Sequence, residues 1–213
     1  MKVTIERATD QPGRLLKLAC DHTMVIRPTD GPAAGPELIK FLLKAKHRSV
    51  FEHCKITFRI TGVSRSLMAQ LTRHRAGVFT CASQHYQNYG NVPAILTGDE
   101  YLDEAIKDAY TAYSHVVASG RAPKEVARQV LPNAASVNIL WTVDARNLFD
   151  FLEQRLCKRN VPEMIEFAEA IHSQAYKWWP VLFSNAGAHC AQHNCCNQGG
   201  MQAKVCGGFK LCD

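Results

Sequence analysis

Arg73, His74 and Arg75 stand together, and seven residues separate Arg75 from Ser83. Two guanidinium forks beside an imidazole can grip a pyrophosphate or lie against an electron-rich ring system. The imidazole can also stabilise negative charge that builds on a reduced cofactor. The same triplet equally suits a solvated helix end that does no chemistry. Further arginines, among them Arg65, Arg128, Arg146, Arg155 and Arg159, recur singly rather than in runs. That pattern favours phosphorylated small molecules as ligands. A tail that binds nucleic acid would show a block of like charge, so no nucleic-acid partner is expected.

A second group of reactive residues crowds the C-terminal end, where Cys190, Cys195, Cys196, Cys206 and Cys212 occur with His189 and His193. These soft ligands outnumber the four that a tetrahedral zinc ion needs. Cys190, Cys196 and Cys206 are expected to lie close together, as metal ligands or as a redox-sensitive cluster. No C-x2-C pair occurs, and the alternative is a set of reduced thiols that pack a flexible tail. Cys20, Cys54, Cys81 and Cys157 are scattered, so the nine cysteines do not suggest a secreted disulfide scaffold.

The elements that must hold these groups follow from patterning. Residues 2–7 suit a strand, 14–19 a helix, Arg27–Pro36 a loop, and 37–45 a helix with Leu38, Ile39, Leu42 and Leu43 on one face. His53–Thr61 alternates as a half-buried strand does, and Gly62 is expected to break it. Helical spacing returns over Ser64–Arg73, while Ala76–Pro93 has no clear period. A long helix is expected from Asp99, its N-cap, to Ser119, with Gly120 as the stop. Pro123 opens a further helix that Pro132 ends, Val137–Val143 is β-rich, and Asp144–Cys157 is helical. Asn160 and Glu163 have capping-box spacing ahead of Met164–Trp179, and Pro180 closes that helix.

The 213 residues, with 46% hydrophobic and 21% charged content, exclude a mainly disordered chain. No stretch approaches the roughly 18–20 apolar residues of a membrane span. The start, MKVTIERATD, lacks an apolar signal core. A soluble, cytoplasmic protein with no membrane partner is expected. Its fold class is α+β: one domain over residues 1–183, with a mixed or antiparallel sheet packed against helices, and a Cys/His-rich tail over 184–213.

RHRAGVFTCAS, residues 73–83, resembles the RHR-x7-S signature of the flavin-dependent thymidylate synthase family. The resemblance extends over HRSVFEHCKITFRITGVSRSLMAQLTRHR from His47, ARQVLP from Ala127 and WTVDARNLFDFLEQR from Trp141, and covers about residues 37 to 183. The tail is similar to a cysteine-bearing extension of some members. Membership implies a homotetramer with FAD in four active sites between subunits. It implies conversion of dUMP to dTMP, with a methylene from methylenetetrahydrofolate and reducing equivalents from NADPH, and with no enzyme nucleophile adding to the uracil.

The resemblance puts Arg73, His74 and Arg75 on FAD, and His47 near flavin and folate. It puts Gln70, Ser83, Arg128 and Arg155 on the nucleotide, with Ser83 and Arg155 serving catalysis. The chain departs from the family at Cys81, where a glutamate is usual, and at His85, where an arginine is usual. Asp150 replaces an asparagine, and Arg159 stands where a histidine is common. Altered nucleotide use is therefore expected. Related readings are hydroxymethylation, a dCMP substrate, or a non-catalytic homologue that binds a nucleotide.

Overall fold

Alternating apolar and polar residues give a strand one face to bury, and a 3.6-residue period gives a helix one stripe. In the computed structural model, which describes residues 1–23, 33–197 and 210–212, those two patterns set the order of elements. Strand β1 (Lys2–Ala8) and helices α1 (Pro12–Thr23) and α2 (Pro36–Lys44) precede strand β2 (Lys55–Ser64). Helix α3 (Arg65–Leu71), strand β3 (Val78–Cys81), the long α4 (Glu100–Ala118) and the short α5 (Lys124–Ala127) follow. Strand β4 (Ser136–Asp144) leads into α6 (Ala145–Arg155), α7 (Pro162–Trp178), α8 (Pro180–Phe183) and α9 (His189–His193). The strands form an antiparallel sheet in the order β1-β2-β4-β3, so the fold is α+β. Among the described residues no helix is long and apolar enough to cross a membrane.

Several expectations change. Gly62 does not end β2: it takes φ +69°, a conformation a Cβ disfavours, and the strand continues to Ser64. The helix expected between Pro123 and Pro132 is only α5 and a 3-10 turn over Arg128–Val130. The unpatterned stretch after Ala76 contains β3 and a 3-10 turn at Tyr89–Asn91. No capping box opens α7: Val161 precedes it, Pro162 fills its first turn, and Asn160 turns back toward α6. Most of the loop expected at Arg27–Pro36 lies outside the described residues, and Pro36 already starts α2.

Two strands pass into helices with no intervening residue. Ser64 Oγ accepts the Leu67 N–H at 2.9 Å where β2 becomes α3, and Asp144 Oδ1 accepts the Asn147 N–H at 2.9 Å where β4 becomes α6. Each cap satisfies an otherwise unpaired amide and contributes about 1 kcal/mol.

The chain packs as two compact units. One comprises residues 1–2, 59–75 and 79–141, and the other residues 3–58, 76–78 and 142–213. In the first, Tyr89, Tyr113, Ala127 and Ala135 form a core against Val92, Tyr110 and Leu131. The buried Tyr113 hydroxyl accepts the Tyr89 N–H at 3.2 Å. Phe79 stacks on Trp141 with centroids 5.8 Å apart. The start of α3 is pinned by the Arg65 and Ser66 amides, which donate to Ala135 O at 3.0 Å and Asn133 O at 3.2 Å. In the second unit, Phe151 meets Phe167 edge-on at 6.1 Å, and Leu16, Ile39, Met164, Ile171 and Leu182 are fully or almost fully buried. The Ala145 amide donates to Cys54 O at 2.8 Å, which fixes where α6 begins.

Candidate active site

The triplet lies just beyond α3, whose last turn closes when Thr72 Oγ1 donates to Met68 O at 2.9 Å. Gln70 is half-buried on that turn, His74 is half-buried, and Arg73 and Arg75 are exposed. The His74 amide donates to Leu71 O at 3.0 Å. Neither the Arg73 nor the Arg75 guanidinium has a carboxylate or hydrogen-bond partner among the described residues. Two uncompensated cations flanking an imidazole are a donor set for a polyanion.

Ser83 sits two residues past β3 in the same unit. The Ala82 amide donates to Asn138 O on β4 at 2.9 Å, and Ser83 Oγ then accepts the His85 N–H at 3.2 Å. This serine turn fixes an exposed hydroxyl oxygen. Burial pushes the Cys81 thiol above its ordinary pKa, although the Arg65 guanidinium pulls the other way. Cys81 is therefore a protonated thiol at neutral pH and a poor nucleophile. His85 is exposed and meets Tyr86 edge-on at 4.6 Å. Arg128, also exposed, opens the 3-10 turn after α5. Sequence reasoning missed Gln84, which is 6% exposed and whose side-chain nitrogen has no partner among the described residues. Its adjacency to Ser83 was the available signal.

The second unit holds His47 and Arg155. His47 is exposed after α2, its amide donating to Leu42 O at 2.9 Å. Beside it, Arg48 Nη1 donates to Asp150 Oδ1 at 2.7 Å, lies 3.7 Å from Glu153 Oε2, and its guanidinium sits 5.2 Å from the Phe149 ring centre. Asp150, one of the departures, thus supplies a carboxylate to Arg48. The sequence reading passed over Arg48 because only its neighbour carried a family role.

Arg155 ends α6 and is half-buried, with Nη1 donating to Asn160 Oδ1 at 3.3 Å and a buried Nε that has no hydrogen-bond partner among the described residues. With Arg159, Asn160 and Asn197 it lines a cavity of about 350 Å³. Asn160 Nδ2 donates to Gln154 O at 2.9 Å, Cys157 O at 3.0 Å and Arg155 O at 3.2 Å. One side chain therefore closes the C-terminal end of α6 and holds Arg155.

In the tail, Cys195 and Cys212 form a disulfide, a pairing outside the expected Cys190, Cys196 and Cys206 cluster. The reason is local pairing: the Cys196 amide donates to Lys210 O at 2.7 Å and the Cys212 amide to Cys196 O at 3.0 Å, which brings the two segments side by side. His189 Nδ1 is 2.6 Å from Glu153 Oε1, and its Nε2 is 3.4 Å from Cys212 Sγ. Among the described residues, the ligand atoms of His189, Cys195 and Cys212 lie within 4.8 Å of one another, as do those of Glu153, His189 and His193. Neither group includes Cys190 or Cys196. Cys206, the third expected ligand, lies outside the described residues.

Residues 7–181 match the family model described as thymidylate synthase complementing protein. A flavin-dependent thymidylate synthase of Nitratidesulfovibrio vulgaris is 34% identical over 188 residues, covering 81% of this chain and 76% of that protein. One from Geobacter sulfurreducens is 31% identical over 217 residues, covering 94% of this chain and 93% of that protein. The solved flavin-dependent thymidylate synthase from Helicobacter pylori, complexed with FAD and dUMP, shares the fold. Its TM-score is 0.73 at 18% identity, covering 88% of this chain and 100% of that chain. The ordered sequence blocks, the α+β architecture and these matches place the chain in the thymidylate synthase complementing protein family, that of the flavin-dependent thymidylate synthases.

Proposed function

We propose that the chain is a flavin-dependent thymidylate synthase that methylates C5 of dUMP. Methylenetetrahydrofolate is the methylene donor and NADPH the reductant. The working form is a cytoplasmic homotetramer with active sites between subunits. The observation that carries this reading is the placement, in one unit, of two uncompensated guanidinium groups after α3 and the backbone-fixed Ser83 hydroxyl after β3.

The donor set fits FAD, because paired arginines match a pyrophosphate and His74 can meet charge on a reduced ring. The bound flavin would carry reducing equivalents from NADPH to the transferred carbon. The chain binds and orients. Arg73 and Arg75 hold the cofactor, and the exposed His47 is available to flavin and folate. Gln70 and Ser83 offer neutral hydrogen bonds to the nucleotide, while Arg128 and Arg155 offer charge to its phosphate or a polarised carbonyl. Ser83 and Arg155 act at the pyrimidine. A protonated Cys81 agrees with chemistry that needs no enzyme nucleophile.

The test is an oxidised-flavin spectrum of the purified protein that NADPH bleaches, together with release of the C5 hydrogen from labelled dUMP and, in parallel, dCMP. We expect flavin, release from dUMP, and dTMP as product. Flavin-free protein with no release from either nucleotide would refute the proposal.

A further inference from the structure

We propose that His189, Cys195 and Cys212 form a redox-gated zinc site in the reduced protein, with Glu153 orienting the histidine. Three observations meet here. The three ligand atoms already lie within 4.8 Å of one another. Backbone pairing of Cys196 with Lys210 and Cys212 holds the two cysteine segments together. The nitrogens of His189 are divided: Nδ1 faces Glu153 Oε1 at 2.6 Å, while Nε2 faces Cys212 Sγ at 3.4 Å. A carboxylate on Nδ1 keeps the proton there and turns the Nε2 lone pair toward the sulfurs, as in carboxylate–histidine–zinc arrangements. Arg48, 3.7 Å from the other Glu153 oxygen, steadies that carboxylate from the body of the unit.

Two thiolates and an imidazole are a zinc donor set, and a solvent molecule completes the tetrahedron. The disulfide and the metal site are alternative states of one cysteine pair. A dithiol reductant gives two electrons and two protons, the sulfur–sulfur bond opens to two thiols, and the reductant leaves as its own disulfide. Zinc then binds both sulfurs and releases both thiol protons to solvent. In reverse, a disulfide-class oxidant accepts two electrons, the Cys195–Cys212 bond re-forms, and the ion departs.

The full chain, reduced anaerobically with a dithiol and desalted, would be titrated with Zn²⁺ and Co²⁺. We expect one metal per chain, and for Co²⁺ a thiolate charge-transfer band with tetrahedral ligand-field bands. Cys195→Ser and Cys212→Ser should each abolish these signals, Cys190→Ser should leave them intact, and Glu153→Gln should weaken affinity roughly ten- to a hundredfold. Because a tail variant could lose binding by unfolding, the unmodified protein supplies a second readout. Oxidised glutathione should expel one zinc per disulfide formed. Failure of the reduced protein to take up metal, retention of metal through oxidation, or unchanged binding in the Cys195→Ser, Cys212→Ser double variant would overturn the proposal. No readout involves flavin or nucleotide, so the result is independent of the synthase activity.

Discussion

Under the proposed function, Asn160 joins helix stability to nucleotide binding through Arg155, and two substitutions can separate the two effects. Its amide group carries two protons and faces the carbonyls of Gln154, Arg155 and Cys157 at 2.9, 3.2 and 3.0 Å. Two net hydrogen bonds of roughly 0.5–1.5 kcal/mol each set the loss in Asn160→Ala at about 1–3 kcal/mol. Asn160 is half-buried, so water recovers part of this, leaving about 1–2 kcal/mol. For a chain of this size the melting temperature should fall by about 2–8 °C. The variant also frees the Arg155 fork, whose re-ordering on binding costs about 0.5–1.5 kcal/mol. KM for dUMP should therefore rise about two- to tenfold with kcat little changed. Asn160→Asp keeps the oxygen that accepts from Arg155 but sets a second oxygen against three carbonyls. It should be no more stable than Asn160→Ala, yet have a KM nearer the parent. Differential scanning fluorimetry and steady-state kinetics test both effects. An alanine variant melting within 1 °C of the parent, or identical KM values for the two variants, would refute the reasoning.

Four further outcomes are expected. Arg73→Ala with Arg75→Ala removes two charge-assisted contacts of about 1.5–3 kcal/mol each, so the folded double variant should purify with little FAD absorbance. Arg48→Ala should lower stability in urea by about 1–3 kcal/mol, and Asp150→Asn by less, because an amide oxygen still accepts; the opposite order would break the assignment of that pair. Burial pushes the Cys54 thiol up to about 11 from 9.0. A raised thiol stabilises the fold below the unfolded value, so up to about 2–3 kcal/mol should be lost as pH rises from 9 to 11, and Cys54→Ala should flatten this limb. Cys81→Glu with His85→Arg restores the usual family residues and should tighten dUMP about tenfold by calorimetry; no change would mean these positions do not touch the nucleotide.

Local signals carried most of the elements. Asp99 caps α4 as its position predicts, with its side chain accepting the Leu102 N–H at 2.9 Å, and Gly120 takes φ +68° where the helix stops. Alternation found β2 because one face of that strand is buried. The failures have physical causes. Val78–Cys81 is a four-residue strand, too short to show a period, and it exists because β4 offers an edge to pair with. Asn160 and Glu163 have the spacing of a cap, but Pro162 already supplies the first turn of α7 and three α6-end carbonyls compete for the Asn160 amide. The triplet and Ser83 were legible as a motif. Gln84 and Arg48 were not, since their character comes from burial and from partners distant in the chain. The cysteine grouping depended on which two tail segments pair, which spacing alone does not encode.

The junction at Ser64 makes α3 a lever. With no linker between β2 and the helix, whatever tilts the cap tilts everything beyond it. Seven residues at 1.5 Å each give an arm of about 10 Å, so a swing of roughly 6° at Ser64 carries the Arg73–Arg75 end about 1 Å sideways. A displacement of that size can cost about a hundredfold in rate where reacting groups must be aligned. The hydroxyl of one buried serine therefore sets the aim of the Arg73–Arg75 triplet that the proposed function assigns to the cofactor.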